Sequence, residues 1–184
     1  DLAYIFNTTE DRISLTREKA LKGDIIFHYD DLNLSFLESA EGLKLPKKIR
    51  GNLYLSSLKS PEELELPEEV GGYLDLRRLE SAKRLKLPKK IGGRLDLSSL
   101  KSAEELELPE EIGGGLNLES LESAKRLKLP KKIGGRLDLS SLKSVEELEL
   151  PEEIGGGLNL KSLESVERLK LPKKIGGYLD LSSL

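Results

Sequence analysis

From residue 27 onward, short apolar–polar–apolar triplets alternate with charged pairs in a pattern that returns every 21 residues. Proline marks each return, at 46, 67, 88, 109, 130, 151 and 172. The unit from Pro88 to Leu108 reads PKKIGGRLDLSSLKSAEELEL. Two of its triplets, Leu95-Asp96-Leu97 and Leu106-Glu107-Leu108, have the period of two that gives a strand one buried face. Each is short and bounded by Gly-Gly or Pro, which interrupt regular structure. The predicted inward set is Leu95, Leu97, Leu100, Ala103, Leu106, Leu108 and Ile112, seven of 21 positions. That fraction suits a coil turning through about three corners.

A repeat of this length predicts a stack of coils, because one coil buries too little apolar surface to offset the entropy of ordering its backbone. The expected fold is mainly β: a short-coil parallel β-solenoid of about seven coils over residues 27–184. Residues 1–26 lack the repeat and predict a small α/β cap, in which Thr16, REKAL and Gly23 read as a short capped helix. No comparable cap follows the last repeat. The final coil, with Tyr178, Leu179, Leu181 and Leu184, is therefore expected to present an apolar layer through which two chains meet tail to tail.

Glycine refines the coil. Gly51, Gly72, Gly93, Gly114, Gly135, Gly156 and Gly177 hold one place in every unit, and the preceding place is also Gly except at Arg50. The second glycine is expected to be the demanding one, at a corner needing positive φ or close backbone approach.

Charge adds a second period. Lys47-Lys48 after one proline becomes Glu68-Glu69 after the next, and this flip continues to Lys173-Lys174. The rows Lys44, Glu65, Lys86, Glu107, Lys128, Glu149, Lys170 and Glu38, Lys59, Glu80, Lys101, Glu122, Lys143, Glu164 alternate likewise. Residues 88–108 and 130–150 differ only by Ala103 against Val145, so the full sequence period is a pair of coils. Stacked coils of like charge would repel, and a slip of one coil would set Lys over Lys.

Composition narrows the chemistry. The 184 residues include 30 Lys and Arg, 33 Asp and Glu, one His and no Cys, Met or Trp. Near balance of charge disfavours nucleic-acid binding. Disulfides and thiol chemistry are excluded, and no run approaches the ~20 apolar residues of a membrane span. A soluble chain without cofactor, metal or signal peptide is expected, of unstated location.

The run LPKKIGGRLDLSSLKSAEELELPEEIGG resembles leucine-rich-repeat solenoids, nearest the receptor L-domain type, over residues from about 30 to 184. The resemblance implies a solenoid architecture. It departs from the family where the usual turn Asn is replaced by Glu111 or Lys132. Near-identity of alternate units also resembles consensus or designed repeat proteins.

Few residues stand out as chemistry. His28, between Phe27 and Tyr29, reads as structural before it reads as a pH sensor. Arg77-Arg78 replace Ser-Ser and read as a solvated pair facing neighbouring Glu, with anion binding as the rival. Tyr54, Tyr73 and Tyr178 read as separate packing residues. The Glu-Glu pairs lack the spacing of a calcium loop, and no polar constellation breaks the repeat as an active site would. The sequence thus predicts a structural or scaffold protein, with a protein- or glycan-binding sheet face as the alternative.

Overall fold

The computed structural model describes residues 27, 28, 30–104, 106–146 and 148–184. The expected cap, with its helix from Thr16 to Gly23, lies outside them.

Among the described residues, sixteen two-residue strands alternate between two parallel sheets of eight. One sheet runs from Phe27–His28 through Lys48–Ile49 to Lys174–Ile175, and the other from Leu32–Asn33 through Leu53–Tyr54 to Leu179–Asp180. Gly-Gly turns the chain from the first sheet into the second. Each register step is one repeat, as in Leu95 against Leu116 and Leu116 against Leu137. The chain is a parallel β-solenoid with 21-residue turns, and no helix occurs among the described residues.

Backbone hydrogen bonds tie coil to coil in both directions. At the glycines the upper coil donates downward, with the Gly114 N–H to the Gly93 carbonyl at 3.0 Å. In the second sheet the lower coil donates upward, with Leu116 N–H to the Arg136 carbonyl at 2.8 Å. Inside, leucine stacks on leucine: Leu95, Leu97, Leu100 and Ala103 are fully buried, and Leu106 and Ile112 nearly so.

Two expectations change. The triplet Leu106-Glu107-Leu108 is not a strand; the coil's other strand falls after the proline, at Glu111–Ile112, in the first sheet. A tight turn precedes the triplet, closed by Leu106 N–H to the Ala103 carbonyl at 3.0 Å. Pro109 follows without a donor, and no backbone bond joins Glu107 or Leu108 to a neighbouring coil. Leu108 is accordingly half-buried at the core's edge, unlike the other six inward residues.

The corner with positive φ is also elsewhere. Gly42, Glu63, Arg84 and Arg126 share one row, with φ of 68°, 61°, 64° and 63°. Gly42 is the one glycine with positive φ among the described residues. The Gly-Gly pair instead answers to close approach: a Cβ on Gly114 would lie 2.6 Å from the Gly93 carbonyl carbon. The first glycine is as confined as the second, since a Cβ on Gly113 would strike the Gly92 carbonyl oxygen.

Candidate functional site

The middle residue of each Leu-x-Leu triplet in the second sheet ought to face water. Asp75, Asp96, Asn117, Asp138 and Asn159 are nevertheless buried, at 2–8% exposure. Each turns its Oδ1 back to accept the N–H two residues on, as from Ser98 to Asp96 at 3.0 Å and Glu119 to Asn117 at 3.1 Å. This Asx turn fixes the bend after the strand. The signal was present in the Asp or Asn that fills this place in every triplet but that of Tyr54, but period-two reasoning assigns the place to solvent.

The carboxylates are covered by arginine. Arg94 Nη2 donates to Asp96 Oδ2 at 2.9 Å, and Arg136 makes the matching bond to Asp138. Before Asn117 and Asn159 the corresponding residue is Gly115 or Gly157, so from 94 to 159 arginine and glycine alternate with acid and amide. A Cβ on Gly157 would lie 2.6 Å from the Tyr178 ring, which fills that space and carries Arg136 over its face at 5.4 Å.

Tyr54, Tyr73 and Arg77 meet at one place on this sheet, contrary to the reading of these tyrosines as separate, while Tyr178 lies apart. The rings of Tyr54 and Tyr73 meet edge to face, 5.8 Å between centroids. Asn52 donates to Tyr54 Oη at 3.1 Å and accepts the Tyr73 N–H at 2.6 Å. The Tyr73 hydroxyl donates to Asp96 Oδ2 at 3.2 Å. Arg77 faces Asp75 and not a glutamate: its Nε lies 2.9 and 3.0 Å from the two oxygens and its Nη2 2.7 Å from Oδ2. Burial, reinforced by Asp96 and Asp75, pushes the Tyr73 phenol up to about 12. Arg78 is exposed and closes no ion pair among the described residues.

The charge rows behave unequally. Lys48 meets Glu69 at 2.8 Å, Lys132 meets Glu153 at 3.1 Å, and Lys173 meets Glu152 at 2.7 Å. These hydrogen bonds hold the Glu69 and Glu152 carboxyls below, and the Lys173 ammonium above, their usual ranges. In the outer row Lys101 reaches Glu122 at 3.7 Å and Lys143 reaches Glu164 at 3.0 Å. The row from Lys44 to Lys170 closes no pair among the described residues.

In the last coil Tyr178, Leu179 and Leu184 are exposed and Leu181 is half-buried. His28 lies in the first strand, in register with Ile49. Among the described residues, no group of three His, Asp or Glu side chains is placed to hold a metal ion, and no helix is long and apolar enough to cross a membrane. Open grooves lie between successive coils, one of about 600 Å³ between residues 85–89 and 107–110. No family model, curated protein or solved structure matches the chain.

Proposed function

We propose that this chain is a structural scaffold: a stack of fixed coil order, without catalytic activity, that sets a length and presents a regular surface. The observation that carries the reading is the buried Asp/Asn row. Its polar atoms close on Asx turns, arginines and neighbouring amides, and none of them lines the groove between residues 85–89 and 107–110. The same reading takes the fold as leucine-rich-repeat-like and its near-identical coil pairs as the product of consensus or design. Small-angle scattering on chains lengthened by one coil pair tests it: length rises in proportion while the cross-section stays constant. Turnover of a substrate, abolished by one substitution, would overturn it.

The Tyr54–Tyr73 cluster favours a second reading, recognition of a glycan or protein by the second sheet. Retention of a glycan on an array, lost in Tyr54→Ala, would favour that reading over the first.

A further inference from the structure

The side of the coil that belongs to neither sheet carries bands of charge. Lys83, Arg84 and Lys86 on one coil give way to Glu104 and Glu107 on the next, and this order holds from Glu62 to Glu149, while the end coils mix Glu41 with Lys44 and Glu167 with Lys170. All of these are exposed. Elsewhere such alternation is consumed within the chain, as at Lys132–Glu153. Here the central row from Lys44 to Lys170 closes no pair within 4.0 Å among the described residues, and residues 107 and 108 form no coil-to-coil backbone bond. Beside the bands runs a row of half-buried leucines, Leu87, Leu108 and Leu129 among them.

We propose that this side docks a second copy of the chain, antiparallel and offset by one coil. A banded face is complementary to itself only when shifted by an odd number of bands, which sets lysine on glutamate. A twofold axis passing between adjacent coils gives that shift and closes the assembly at two copies. The leucine row supplies the apolar seam. The offset leaves six coils facing six; at about 4.8 Å per coil, across a side about six residues wide at ~3.3 Å each, they present on the order of 600 Å² per partner, the low end for a specific interface. A standard interface takes about 800 Å². Opposite bands lie closer together than the Debye length of about 8 Å, so their fields cancel at a distance and act at contact. They select register and do little to steer approach.

The test is sedimentation of the parent chain and two variants. One carries Lys44→Glu, Lys86→Glu, Lys128→Glu and Lys170→Glu; the other carries Glu65→Lys, Glu107→Lys and Glu149→Lys. The row makes no internal pair, so both variants are expected to keep the parent's circular dichroism spectrum, with a lower melting temperature because like charges now stack from coil to coil. The parent is expected to dimerise, each variant to associate about tenfold more weakly or worse, and their equimolar mixture to associate again. High salt is expected to weaken the parent dimer and the mixed dimer alike. A parent that stays monomeric at millimolar concentration overturns the proposal. So do variants that dimerise as the parent does, which would place the contact elsewhere, such as at Tyr178 and Leu179.

Discussion

Asp75 and Asp96 stand opposite each other in parallel register, two buried carboxylates on adjacent strands. It is the one junction between described second-sheet strands from Leu74–Asp75 to Leu179–Asp180 where acid meets acid rather than amide. Like charges so placed repel, and the surroundings answer: Arg77 forks onto Asp75 while Arg94 and the Tyr73 hydroxyl hold Asp96. Arg77 therefore accompanies the break in the Asp/Asn order.

Removing that cover should expose the repulsion. Arg77→Ala is expected to cost about 2–3 kcal/mol in urea unfolding, in the range for stripping a buried charge of its partner, reduced for a half-exposed guanidinium. Adding Asp75→Asn to it should restore most of the loss, because Asn already occupies this row at 117 and 159. Failure of the second change to rescue the first would mean that Arg77 acts through packing alone.

Tyr73 gives a signal at high pH. Its phenol holds its proton to about 12 in the folded chain against 10.0 ordinarily. Stability from this group is complete below the unfolded value and is lost as pH rises through the folded one. An ultraviolet titration should show a late phenolate that is lost in Tyr73→Phe, and that variant should lose less stability across this window.

The left-handed row predicts stabilisation. Arg84 and Arg126 hold positive φ without the freedom of glycine, at a cost of roughly 1 kcal/mol each. Arg84→Gly and Arg126→Gly should each raise stability by up to about 1 kcal/mol, offset in part by the added freedom of the unfolded chain. Gly42→Ala in the same row should lower it by about 1 kcal/mol, read by thermal or urea melts.

Close approach at the double glycine predicts the opposite sign and a larger size. Gly114→Ala places a methyl against the Gly93 backbone, which has no flexible end to yield. A loss of about 3 kcal/mol or more is expected, at the upper end of overpacking costs. A neutral result would show that the coils separate freely at this corner.

Much of this fold was legible because the repeat exposes it. Leu95, Leu97, Leu100 and Ile112 are inward by periodicity alone, and the sign flips announced coils that pair. Besides the burial of the Asp/Asn row, three features escaped for separate physical reasons. The strand at Glu111–Ile112 follows a proline and offers only two residues, too few for a period to show. The left-handed corner falls on Arg84 and Arg126, residue types that give no hint of it. Tyr54 and Tyr73 meet because a step of one coil brings Tyr54 opposite Asp75, two places from Tyr73, a diagonal that no linear spacing advertises.

The central claim is that the coil pair, not the coil, is the unit of stacking. Deleting residues 88–129 joins the Pro67 coil to the Pro130 coil and keeps Glu over Lys in every charged row, with Arg136 replacing Arg94. Deleting 88–108 alone sets Glu68 and Glu69 over Glu110 and Glu111, Glu80 over Glu122, and Lys86 over Lys128. The decisive measurement is urea unfolding of both chains at low and high salt. The account predicts that the one-coil deletion, although longer, is less stable at low salt by about 1–3 kcal/mol, the sum of several exposed pairs reversed. It also predicts that salt narrows the gap. A one-coil deletion that is the more stable at low salt, with no dependence on salt, would contradict it.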